Sequence, residues 1–261
     1  MYDDFETKKS YEYLQIVVRA LKDPICILGG WAVFFTVNTN YVIAQGKEYL
    51  GSRDIDLGFH VTDDNLKTSP LAHSLNILKK MNFKGVGFRL YKDIHAETGK
   101  EIEDEQVQSY QRFVMYVDPI VDRIPKNFKD VFGFQPIDEP MLQFVFEKSE
   151  YRTELQQFDK KLLLPSAEIL IATKINAIAN RDKRHKKIKD ICDLFALLWY
   201  SDKKHTVLKT EVKKIISKNI IKEKLSCISP EELFEASRLL GNTIEEVKKV
   251  VLEEWDDSIT S

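Results

Sequence analysis

Asp54-Ile55-Asp56-Leu57 is the stretch that most limits what this chain can fold into. Apolar residues alternate there with two carboxylates, the period of a strand with one buried face. Side chains two apart on a strand point the same way, so Asp54 and Asp56 are expected to project together. Carboxylates that close repel, and one stays protonated unless a cation intervenes. A divalent ion resolves the conflict; so does the solvent face of an edge strand. A three-residue motif does not choose between them.

Upstream, Leu14, Val17, Val18 and Leu21 recur at helical spacing, which predicts a helix over 4–22 that ends at Asp23-Pro24. Ile25-Cys26-Ile27-Leu28 reads as a strand covered on both faces. Gly29-Gly30 breaks it, and Trp31-Ala32-Val33-Phe34-Phe35 resumes as a helix. Strand, two glycines and helix is a layout whose backbone N–H groups can cradle a phosphate. It is equally the layout of a tight turn with no ligand. Residues 38–50 are read as a loop or as an extension of that helix.

Downstream, Ser69-Pro70 predicts an N-cap and a helix to Met81. Gly85 to Tyr91 is expected to form one strand. It is not a dinucleotide fingerprint, because Leu90 stands where the third glycine belongs. Residues 93–105 are acidic and read as a loop. Gln111 to Val117 predicts a strand that ends at Asp118-Pro119, and residues 141–147 and 154–164 predict two more. The character changes at Pro165. Ser166 can cap a helix through Ala179, a second is expected from Lys189, and two capping boxes follow, Ser229 to Glu232 and Thr243 to Glu246. The expected fold is α+β: a mixed sheet with flanking helices over 1–164, then a helical bundle over 165–261.

The net charge of −2 over 261 residues hides an asymmetry. Residues 181–224 hold fourteen Lys or Arg against six Asp or Glu, a net of +8. Such a field draws polyanions, although charge runs also serve as solvated surface. The three cysteines, Cys26, Cys192 and Cys227, form no C-x-x-C pair and sit in apolar segments. They read as small buried hydrophobes in a reducing compartment. The acidic start has no apolar segment of the secretory kind after it, and the longest apolar run, Ile25 to Val37, is too short to span a bilayer. The expectation is a soluble cytoplasmic protein with no membrane partner. Five histidines without paired spacing assign no zinc. Gly46-Lys47 is followed by Glu48, so no P-loop is present.

Gly29-Gly30, then Asp54-x-Asp56, then Asp118 at the end of a third strand resembles the nucleotidyltransferase superfamily of the DNA polymerase β type. Lys174, Arg181 and the run Lys189-Asp190-Ile191-Cys192-Asp193-Leu194 resemble the helical signature of its abortive-infection (AbiEii-type) toxins. The resemblance spans roughly residues 25–200. It implies that Gly29 and Gly30 hold the β- and γ-phosphates of an NTP and that Ser52 bonds a phosphate oxygen. Asp54 and Asp56 would bind two Mg²⁺ ions, and Asp118 would complete the site beside the acceptor hydroxyl. Lys174 would neutralise triphosphate charge, with Asp190 and Asp193 orienting Lys174, Arg181 or the nucleotide.

Two departures stand out. The family's basic residue two positions before its Ser or Thr falls on Leu50, with Arg53 or Lys47 as substitutes, and the interval between Gly30 and Asp54 implies an insertion around 38–48. Lys174 also reads as a snorkelling helix residue, and Asp190 and Asp193 as plain salt-bridge partners of Lys186 or Lys189. Asp122 is a second candidate for the third carboxylate. The reading is therefore a Mg²⁺-dependent nucleotidyltransferase, toxin-like, that acts on RNA, tRNA or a protein and pairs with an antitoxin. The alternatives are a small-molecule (antibiotic-type) nucleotidyltransferase and a degenerate member that binds nucleotide or RNA without turnover.

Overall fold

The structure is a computed structural model and describes residues 4–64, 66–102, 107–156, 158, 160–253 and 255. It separates into two compact units, residues 1–32 with 51–165, and residues 33–50 with 166–261. It is mixed α+β.

The first unit is built on one eight-stranded sheet. Strand β1 (Ile25–Ile27) is buried along its whole length, as a continuous apolar run requires. Helix α1 (Asp4–Ala20) precedes it and buries Leu14, Val17 and Val18. After the first turn of α2 (Gly29–Gln45) come β2 (Ile55–Phe59), α3 (Pro70–Lys80), β3 (Lys84–Val86), β4 (Arg89–His95) and β5 (Arg112–Val121). Then follow α4 (Phe128–Phe132), β6 (Ile137–Asp138), α5 (Leu142–Glu147), β7 (Arg152–Leu155) and β8 (Leu162–Pro165). The strand order is β3-β4-β5-β2-β1-β8-β7, with β6 beside β5. β1 runs antiparallel to β2 and parallel to β8, and β2 is parallel to β5. Ile55, Leu57 and Phe59 on β2 are buried, as are Phe113, Met115 and Val117 on β5, so period-two burial holds on both.

Five local expectations are corrected here. Residues 84–95 are a hairpin rather than one strand, because Gly87 takes φ +59° and turns the chain back. His95 closes β4 inside the segment read as an acidic loop; residues 103–106 of that segment lie outside the described residues. β5 continues through Pro119 to Val121. The β4 ladder ends at the Leu90–Val117 pair, so on that side Pro119 has no neighbour to donate to. Residues 142–147 are a helix: Leu142 and Val145 are buried at i and i+3, a helical period that strand-forming Phe and Val residues had masked. Cys227 is exposed, whereas Cys26 and Cys192 are buried.

The second unit is helical. α2 continues into it and ends before Gly46, whose φ of +68° stops the helix. α6 (Ala167–Ile178), α7 (Arg184–Tyr200), α8 (His205–Ile215), α9 (Lys218–Leu225), α10 (Pro230–Leu240) and α11 (Ile244–Leu252) complete it. α7 starts at Arg184, five residues before the expected Lys189. Arg184 to Lys187 of the basic run form its first turn, Arg181 lies ahead of it, and Ile188, Ile191, Leu194 and Leu198 carry the buried stripe. Tyr41 stacks edge-on against Tyr200 at 4.9 Å, and Asn40 donates to the Tyr200 carbonyl at 2.9 Å, which ties α2 to α7. Both capping boxes form, Ser229 with Glu232 and Thr243 with Glu246.

Candidate functional site

In the first unit, the parallel pairing of β2 with β5 sets Asp56 directly across from Asp118. Their carboxylates are neighbours because register, not sequence distance, places them. Gly29 closes the floor. It has φ +61°, and a Cβ there would lie 1.8 Å from Asp56 Oδ2. The Asp56 carboxylate thus occupies the space of the missing side chain, and only glycine fits. A Cβ at Gly30 would meet the Ser52 Cβ at 2.9 Å and its Oγ at 3.0 Å. The two glycines therefore let the β2 approach segment close over the start of α2. Ser52 Oγ–H donates to the Asp54 carbonyl at 2.9 Å, which steadies that approach.

Asp54 and Asp118 meet a residue the sequence did not single out. Arg89, the first residue of β4, donates from Nε to Asp118 Oδ1 at 2.7 Å and from Nη2 to Asp54 Oδ2 at 2.8 Å. Its guanidinium lies 3.9 Å from the Tyr116 ring centre. No local signal marked it: the turn at Gly87 sets Arg89 opposite Val86 on β3, and only the antiparallel β4–β5 pairing brings it beside β5. Burial pushes the Asp118 carboxyl up to about 7, the Asp56 charge adds to this, and the hydrogen bond and charge of Arg89 oppose it. Burial acts to lower the Arg89 pKa, but Asp118 and Asp54 outweigh it and hold the guanidinium above its usual value.

The donor set suits a hard cation by chemistry. Its disposition does not: among the described residues no three His, Cys, Asp or Glu side chains are placed to hold a metal ion. Asp122 pairs elsewhere. Its Oδ2 lies 2.5 Å from His60 Nδ1, and its Oδ1 accepts the Val61 N–H at 3.0 Å. Arg53 packs over Phe113 at 5.1 Å and reaches Glu6 at 3.5 Å.

The helical signature forms a second cluster, within the second unit. Lys174 Nζ lies 2.7 Å from Asp190 Oδ1 and 2.6 Å from Asp193 Oδ2. Arg181 Nε donates to Asp190 Oδ2 at 2.5 Å. Lys189 pairs with Asp193 Oδ1, and the Tyr49 hydroxyl donates to the same oxygen at 2.7 Å. Asp190 pairs with Lys174 and Arg181, and Asp193 with Lys174 and Lys189. Burial works to raise the Asp193 carboxyl, but the charges of Lys174 and Lys189 prevail and lower it. Burial works to lower Lys174, but the two carboxylates raise it. Three cations surround two carboxylates, so the excess is positive, and Arg181 is the member a third exposed.

No family model and no curated protein matches this chain. One solved structure similar to it is an antigenic nucleotidyltransferase-like protein from Paracoccidioides brasiliensis. The two are 17% identical with a TM-score of 0.39, and the likeness covers 96% of this chain and 97% of that one. A likeness of that size carries no functional argument. No described helix is long and apolar enough to cross a membrane.

Proposed function

We propose that this protein is a nucleotidyltransferase, which moves a nucleoside monophosphate from an NTP to an acceptor hydroxyl and releases pyrophosphate. The observation that carries the reading is Asp56 in register with Asp118 over Gly29, at the start of α2. First-turn N–H groups of α2 suit the phosphates. The acceptor oxygen attacks the α-phosphorus, the bond to pyrophosphate breaks, and the hydroxyl proton goes to a base. In this reading Asp118 would take it, and its raised carboxyl, about 7, supports the assignment. Magnesium belongs to the proposal only as an ion that Asp54, Asp56 and Asp118 would hold after Arg89 has left them, neutralising phosphate charge. The acceptor is an RNA, tRNA included, or a protein, and in a toxin-like role an antitoxin would be the partner.

Arg89 favours a second reading, a member that binds nucleotide or RNA without turnover, because two of the three carboxylates are already engaged. One experiment separates them: incubation with each α-labelled NTP, Mg²⁺ and total cellular RNA, then a gel. Label transfer that disappears in Asp56→Asn supports the first reading. NTP binding without pyrophosphate release supports the second. No binding of any of the four NTPs sinks the first, and no binding of NTP or RNA sinks both.

A further inference from the structure

Arg89 belongs to no motif, yet Asp54 and Asp118 both converge on it. Its two bonds come from separate nitrogens of one planar fork, at 2.7 and 2.8 Å. That is the arrangement in which a guanidinium binds oxygens most strongly and most directionally. The Tyr116 ring, 3.9 Å from the guanidinium carbon, holds the plane from one side. The antiparallel β4–β5 ladder fixes its starting point, since Leu90 pairs with Val117 and so sets Arg89 beside Asp118. The lock is therefore part of the sheet rather than a loop accident.

A guanidinium and a divalent ion make incompatible demands on the same oxygens. Magnesium requires an octahedron of oxygens at about 2.1 Å. Arg89 already occupies Asp54 Oδ2 and Asp118 Oδ1 with its N–H groups and sets its own positive charge between them, so an ion can take those two oxygens only by displacing it.

We propose that Arg89 is a built-in counter-cation, which closes the Asp54–Asp118 pair to divalent metal and must leave before an ion can bind. The resting state of the site is then metal-free, with one fixed positive charge set against the Asp54–Asp118 pair. Once displaced, the guanidinium stays tethered to β4 beside the carboxylates, where its fork suits a phosphate oxygen pair. Ion and phosphate-bearing ligand would then enter together. The inference rests on the nucleotidyl-transfer reading only for the purpose of the ion; the lock itself rests on geometry.

Mn²⁺ titration of the full chain, followed by the electron paramagnetic resonance signal of the free ion and without nucleotide, tests it. Arg89→Met should bind Mn²⁺ about tenfold more tightly than the parent or better, equivalent to one decade in Kd. Arg89→Lys should fall between, because an ammonium keeps the charge but not the fork. Arg89→Met/Asp118→Asn should lose the gain. Thermal melts establish that the variants fold, and if Arg89→Met does not, the Arg89→Lys affinity decides. Equal affinity in the parent and the variants, or binding in none of them, overturns the proposal. Label transfer without any Mn²⁺ gain would overturn the lock and leave the transferase reading standing. A Mn²⁺ gain without label transfer would do the reverse.

Discussion

Replacing Lys174 by Met keeps the aliphatic stem and removes only the charge, so it isolates what that charge does inside the second unit. The side chains of Asp190 and Asp193 are 2% and 0% exposed, and Lys174 touches both. Removing one partner of a buried ion pair costs about 3–5 kcal/mol, because the other charge stays buried without compensation. Here Asp190 keeps Arg181, and Asp193 keeps Lys189 and the Tyr49 hydroxyl. The expected loss is therefore at the lower end, about 3 kcal/mol. Urea unfolding followed by tryptophan fluorescence reads it, since Trp199 and Trp255 both lie in the second unit. With a slope of about 1–3 kcal/mol per molar urea, the midpoint should fall by roughly 1–3 M. Adding Asp193→Asn should deepen the loss rather than relieve it, because it takes away the carboxylate that the buried Lys189 ammonium pairs with. The pH profile has a definite sign. The Asp193 carboxyl is lowered in the fold, so its contribution is present above the unfolded value near 4 and lost as pH falls through the folded one. The Lys174 pKa is raised, so its contribution holds at and below the ordinary lysine range and is lost only at still higher pH. A single-variant cost below about 1 kcal/mol, as for an exposed pair, would refute the argument that this network is a buried structural one.

Other expectations follow from the same geometry. Gly29→Ala should cost about 1–3 kcal/mol from its left-handed backbone alone and displace Asp56, abolishing label transfer where Asp56→Asn does; near-parent stability and transfer would contradict the close approach. The Asp118 carboxyl is raised to about 7, so its ionisation opposes folding: stability of the metal-free protein should decline as pH rises from about 4 to about 7 and level off above, as read by thermal melts. Asp118→Asn should flatten that decline. Asp122→Ala should lose about 1–3 kcal/mol by stranding the Val61 N–H and freeing His60, yet leave any label transfer in place; loss of transfer at unchanged stability would return Asp122 to the site.

Strands with clean alternation or continuous apolar runs, β1 and β2, were readable because burial period is a local property. The capped helices α3, α10 and α11 were readable because a cap satisfies backbone groups within four residues of itself. The hairpin at Gly87 and the helix at Leu142 were misread for one reason. Short apolar segments carry little period, so what packs against them decides their form.

The amino-acid sequence by itself determined where the carboxylates stand, that Gly29-Gly30 joins a strand to a helix, and which segments are helical after Pro165. Tertiary structure decided which charges those carboxylates meet. Asp118 faces Asp56 through a parallel register spanning about sixty residues, and Arg89 reaches Asp54 and Asp118 only because β4 pairs antiparallel with β5. Lys174 became a buried counter-ion because α6 and α7 close around it. Residue type fixes which charges a chain carries, but Coulomb energy depends on separation and burial, and both are set by non-local packing.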